Sequence, residues 1–261
     1  GPNAWQNEPA ATAMEKARVL ITEYVKAGYS KIHLDASMFC ADDEGDRTKP
    51  LDDMIVANRA ADLCAAAENT WKEFCFGLPK PLYIIGTEVP IPGGAQEEED
   101  AVNPTSPGAA AATLEITRNT FVEKGLADVW DRVIGLVVQP GVEFGDDQVF
   151  LFDRNHPNAA ALSSMIQDYP GLVYEAHSTD YQTETALSNL VEDHFCILKV
   201  GPWVTYAYRE AVFALSYIEE EMRNQFPDIT LSNIRKVLED VMITNPGYWK
   251  NAKKPVALQD S

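Results

Sequence analysis

Along residues 13–27 the apolar positions Ala17, Leu20, Ile21, Tyr24 and Val25 recur at the spacing of one helical face, and Gly28 ends the run. A short apolar segment over 31–37 follows, closing on Asp35, with a polar loop behind it at 42–49. The same unit then repeats. Ile55, Val56, Ala60, Leu63 and Ala67 predict a helix over 51–74, and 81–89 reads as a strand ending on Glu88. A helix over 109–124 precedes a strand over 132–141 that ends on Gln139, with Glu143 beyond it. Helix 158–168 leads to strand 172–176, helix 183–194 to strand 196–201, and a long helix over 204–224 comes last. Between the second strand and the third helix, residues 96–107 mix acidic residues with prolines, the pattern of a mobile surface loop rather than of a domain boundary. One domain over 1–261 is therefore expected.

Five continuously apolar strands alternating with helices imply a parallel sheet buried on both faces, hence a doubly wound sheet or a (β/α)₈ barrel. The barrel is favoured because Asp35, Glu88, Gln139, His177 and Lys199 each sit at the C-terminal end of a strand. A barrel gathers ligand groups from all its strands around one mouth, whereas an open sheet concentrates them at one switch point. The sharpest of these endings is 172–183, where an apolar run breaks into Glu175, His177 and Asp180. No GxGxxG or GxxxxGK[ST] turn occurs, so a nucleotide cofactor has no support.

Composition narrows the partners. With 21 basic against 40 acidic residues the formal net charge is -19, which argues against nucleic acid and anionic membranes. No apolar run approaches the roughly 20 residues of a membrane span. The four cysteines form no CxxC pair, so reduced thiols in a cytoplasm are expected.

Several blocks together, 1–6 (GPNAWQ), 31–38 (KIHLDASM), 85–90 (IGTEVP), 138–144 (VQPGVEF), 174–183 and 198–202 (LKVGP), resemble the Z-type subunit of D-tagatose-1,6-bisphosphate aldolase, in order from the first residue to about Trp249. The resemblance implies a TIM barrel related to the metal-dependent class II aldolases. It also implies a non-catalytic role, supporting the stability and activity of a catalytic Y-type subunit in tagatose catabolism. Relatives have also been called tagatose-6-phosphate kinases, a reading to which the missing phosphate loop lends nothing. Family members are longer at both ends, so this chain is expected to hold strands four to eight of a truncated barrel.

The resemblance further implies candidate roles. His177 matches a ligand histidine, read either as a metal ligand or as a rim histidine bonded to backbone; its place at a strand end favours the ligand. Glu88 resembles a second metal-associated position, beside Asp35. Gln139 stands where a class II aldolase would place a histidine, and an Asp-His pair preceding Gly1 in relatives is not in this sequence. What remains is an oxygen-rich set suited to manganese or magnesium rather than zinc. Asp35, Glu175 and Asp180 are the candidate catalytic carboxylates, with Glu175 and Asp180 holding sugar hydroxyls or orienting His177. Gln139, Lys199 and Gly201 are the candidate contacts to a sugar or sugar phosphate. His33, two residues before Asp35 and so on its face, is read as an inward-facing neighbour of Asp35 or as filling a core layer, with the core layer favoured. A second functional class stays open: an enzyme in its own right, cleaving or epimerising a ketose or ketose phosphate with the help of a metal.

Overall fold

A computed structural model describes residues 1–86, 102–145 and 148–248. Seven α-helices are seen among these residues: α1 Ala10–Lys26, α2 Asp53–Phe74, α3 Pro107–Glu123, α4 Pro157–Met165, α5 Glu184–Glu192, α6 Pro202–Gln225 and α7 Ile234–Thr244. Local chemistry fixes their starts. The Asp52 carboxylate accepts from the Met54 and Ile55 amides at 2.9 and 3.3 Å, Ser106 Oγ from Ala109 at 3.2 Å and Thr183 Oγ1 from Ala186 at 3.1 Å. His156 does the same for α4, its Nδ1 accepting from the Asn158 amide at 3.2 Å.

Between the helices lie β1 Lys31–His33, β2 Leu82–Ile85, β3 Val133–Val137, the short antiparallel pair β4 Glu143–Phe144 and β5 Val149–Phe150, then β6 Val173–Ala176 and β7 Ile197–Leu198. The main sheet runs β1-β2-β3-β6-β7 and is parallel throughout. Its spatial order follows its sequence order, so there is no switch point and the doubly wound alternative is ruled out. The β4–β5 pair was not anticipated, because two-residue strands are too short to show a period.

Alternation along the strands sends successive side chains to opposite faces. Ile32, Leu34, Tyr83, Ile85, Leu136, Tyr174 and Ala176 pack with the helices in one core. Lys31, His33, Ile84, Gly135, Glu175, His177, Ile197 and Lys199 therefore share the other face. The sheet is curled like part of a barrel. Flat sheet at about 4.8 Å per strand would put β1 roughly 14 Å from β6 and 19 Å from β7, yet Lys31 Nζ reaches Glu175 Oε2 at 2.8 Å and Lys199 Nζ reaches His33 Nδ1 at 2.9 Å. Curvature on that face is relieved by a missing side chain: a Cβ on Gly135 would stand 2.7 Å from Ile84 Cδ1.

The chain divides into two compact units, Gly1–Gly201 and Pro202–Ser261. Within the second, the Glu219 carboxylate accepts from the Ser232 amide and hydroxyl at 3.1 and 2.6 Å, tying α6 to the start of α7, and Arg235 pairs with Glu220. The apolar residues Ile234, Val237, Leu238 and Val241 of α7 follow helical spacing.

Helices α1, α3 and α5 end in the same way. In each, the residue after the cap is left-handed, and two amides bond back into the last turn: Gly28 to Val25 and Tyr29 to Tyr24, Gly125 to Val122 and Leu126 to Phe121, His194 to Val191 and Phe195 to Leu190. The first two use glycine, whereas His194 adopts φ 72° with a Cβ present. His194 thus serves the end of α5 through its backbone. A His194→Gly variant is expected to be more stable by about 1 kcal/mol, close to the cost of the left-handed conformation in a non-glycine residue. Urea unfolding checks this.

Candidate functional site

Strand β6 places its one acidic residue on the inner face because Tyr174 is committed to the helices, its hydroxyl donating to the Leu162 carbonyl at 2.9 Å. Glu175 is fully buried. Its Oε2 accepts from Lys31 Nζ at 2.8 Å, while Oε1 lies 2.9 Å from His177 Nε2, 3.0 Å from Lys199 Nζ and 3.6 Å from His33 Nδ1. Lysine ammonium can only donate, so Lys199, 2.9 Å from His33 Nδ1, makes that nitrogen the acceptor and leaves the proton of a neutral His33 on Nε2. Buried His33 Nε2 has no hydrogen-bond partner. The two imidazoles meet edge to face with ring centroids 5.5 Å apart.

Electrostatics hold these groups in one arrangement. Burial alone would push the Glu175 carboxyl up, but the hydrogen bonds from His177 and Lys31, with His33 and Lys199 close by, outweigh it and hold the group far below the carboxylate range. For His33, burial and then the Lys199 charge act in the same direction, and its pKa is lowered to about 3. Glu175 is an anion and His33 a neutral base at any physiological pH.

The loop after β6 is braced against its neighbours. Ser178 and Tyr181 have φ of 53° and 62°, each a left-handed conformation that costs a non-glycine residue about 1–2 kcal/mol. Thr179 Oγ1 donates to the Lys199 carbonyl at 2.8 Å, the Asp180 carboxylate accepts from the Gly201 amide at 3.0 Å, and Gln182 bonds both the Phe152 amide and the Phe150 carbonyl.

Of the residues singled out from sequence, Glu175, His177 and Lys199 meet directly. Asp35 lies past the end of β1, on the face of His33, where Oδ1 accepts from Ser37 Oγ at 2.9 Å. Asp180 and Gly201 are joined to each other. Gln139 turns back on its own loop, its Oε1 accepting from the Gly141 and Val142 amides at 2.9 and 3.0 Å. Glu88 lies outside the described residues. Two members of the cluster were missed. His33 was read as core filling and Lys31 as a strand start, although both share the inward face of Asp35 by the two-residue period.

Donor atoms of His33, Glu175 and His177 lie within 4.8 Å of one another, a set that could hold a metal ion. Two imidazoles and a carboxylate are a donor set for zinc as well as for manganese. A tetrahedral ion with bonds of about 2.1 Å separates its ligands by roughly 3.4 Å. The 3.6 Å between His33 Nδ1 and Glu175 Oε1 matches this, and the 2.9 Å contact of His177 would have to open. The residues fit the ion in type and spacing, while Lys199 Nζ presently lies against two of the three donors.

Parallel β/α units wound in one direction, with histidines, lysines and a carboxylate gathered on the inner face of the curled sheet, define a protein of the half-barrel kind with an inward polar cluster. The family model described as D-tagatose-1,6-bisphosphate aldolase subunit GatZ/KbaZ-like matches residues 1–258, and the chain belongs to that family. Among solved structures it is similar to a "probable tagatose 6 phosphate kinase" from Sinorhizobium meliloti 1021, with 42% identity and a TM-score of 0.79 over 98% of this chain. The match covers 59% of that protein, so the chain spans about three-fifths of its relative's length.

The pKa directions set a pH test. His33 is depressed from an ordinary value near 6.5, so the unfolded chain binds a proton there that the folded chain refuses. Stability is full above pH 6.5 and is lost as pH falls toward the folded value, at up to about 1.4 kcal/mol per pH unit. Glu175 is also depressed, and its contribution begins to be lost as pH falls below the ordinary carboxylate value near 4.5. Urea unfolding between pH 7.5 and 3.5 is expected to show both losses, and His33→Gln to remove the upper one alone.

Proposed function

We propose that this chain is an accessory subunit of D-tagatose-1,6-bisphosphate aldolase, which binds a catalytic subunit and supports its stability and activity in cytoplasmic tagatose catabolism. Its five parallel strands would be strands four to eight of a TIM barrel. Family membership supports the aldolase association. The observation that carries the accessory role is the state of Glu175: the buried carboxylate is held ionised by Lys31, His177 and Lys199, whereas a base that moves protons in catalysis needs a pKa near the working pH. A carboxylate this strongly stabilised is a keystone of the barrel mouth rather than a proton shuttle. The kinase description of the S. meliloti relative is not carried over, because the sequence offers no phosphate-cradling glycine turn.

The donor set favours a second reading, a metal-dependent aldolase or epimerase acting on a ketose or ketose phosphate. In it His33, Glu175 and His177 hold a divalent cation, whose chemistry when bound is to polarise the ketose carbonyl. Lys31 and Lys199, each about 40% exposed, attract the charge of a sugar phosphate, and Asp35, on the face of His33, is the carboxylate assigned to a substrate hydroxyl.

The two readings separate in one assay. Purified chain with tagatose 1,6-bisphosphate and added divalent metals is expected to show little or no cleavage alone, and to raise the activity or thermal lifetime of the catalytic subunit several-fold when mixed with it. Metal-dependent cleavage by the chain alone, abolished by His177→Ala, would overturn the accessory role in favour of the enzyme.

A further inference from the structure

We propose that the Lys199 ammonium is the resident cation of the His33–Glu175–His177 donor set and competes for that place with a divalent metal. The inference rests on the reading of those three residues as a cation-binding set.

Lys199 Nζ lies 2.9 Å from His33 Nδ1 and 3.0 Å from Glu175 Oε1, two of the three atoms a metal would need. Coordination and hydrogen bonding use the same lone pair. The His33 Nδ1 lone pair that accepts from Lys199 is therefore closed to a metal while that bond lasts. Fixed charge reinforces the exclusion, because a dication and an ammonium cannot share one buried carboxylate oxygen without strong repulsion. The lysine satisfies Glu175 as a metal would, by placing positive charge against Oε1, but it offers no vacant coordination position for a substrate oxygen.

Lys199 is also able to leave. Its side chain is 40% exposed just after β7, an edge strand of the described sheet, so the ammonium can withdraw to water without itself becoming a buried charge. Lys31 provides the internal comparison. It is equally exposed, at 41%, but its bond is to Oε2, the oxygen turned away from the two imidazoles. Both lysines neutralise Glu175, and Lys199 alone lies against two donor atoms of the set.

Cobalt(II) reports the competition without any turnover, through its visible absorption and by calorimetry. Lys199→Met keeps the apolar stem and removes the charge; it is expected to bind cobalt at least about tenfold more tightly than the wild-type chain, the order of effect of deleting a competing charge-assisted hydrogen bond. Lys31→Met is expected to gain much less, and adding His177→Ala to Lys199→Met to abolish the gain. Equal affinity of the Lys199→Met and Lys31→Met variants would overturn the proposal, as would a gain that survives loss of His177. A measurement on the unaltered chain guards against misfolding of the variants. Saturating cobalt is expected to raise the rate of reductive methylation at Lys199 several-fold and to leave Lys31 unchanged, and an unaltered Lys199 rate would equally overturn it. Failure here leaves the subunit role standing, because that role is read from activation of the catalytic subunit by the wild-type chain.

Discussion

The Glu175 carboxylate is the constraint on which the inner face of this sheet depends. Buried charge without partners costs several kcal/mol by rough estimate, and a fully buried carboxylate on a parallel strand is tolerated only where cations reach it. Those cations come from opposite edges of the sheet: Lys31 from β1, Lys199 from β7. They meet over β6 only because the sheet is curled. Curl, glycine relief at Gly135 and the ion cluster therefore go together, and a flat sheet of the same sequence would leave Glu175 without its two lysines.

A second buried carboxylate shows what a purely structural network looks like. On the helix side, Glu68 receives both Arg132 nitrogens, at 2.6 and 2.8 Å, and the Tyr83 hydroxyl at 2.6 Å. Arg132 also bonds the Pro81 carbonyl, and burial there pushes the Cys64 thiol up to about 12. Glu68 is thus fully committed by a planar bidentate pair that has no reason to move. The Glu175 cluster differs in two respects: its lysines are part exposed, and His33 Nε2 is buried without a partner. The inner cluster thus combines part-exposed lysines with a buried imidazole nitrogen, whereas the Glu68 network is closed.

Membership of the aldolase-subunit family gives this cluster a context. In that cluster a lysine of the chain itself, Lys199, places positive charge against Glu175 Oε1 and His33 Nδ1.

Much of the fold could be read along the chain, because the five apolar runs and the helical faces before and after them are local signals. The period of two puts Lys31, His33 and Asp35 on one face of their strand, and Glu175 and His177 on one face of theirs. Sequence did not determine which of those faces meet. Whether Gln139 faces a substrate or closes its own turn, and whether Asp180 orients His177 or holds the Gly201 amide, depends on loop geometry that residue types do not encode. His33 was undervalued for the same reason: its partners lie 142 and 166 residues away in the chain, and only the curl of the sheet converts a core-like histidine into a neighbour of Glu175 and Lys199. Local patterns set the elements, and the closing of β1 toward β6 and β7 decided the site.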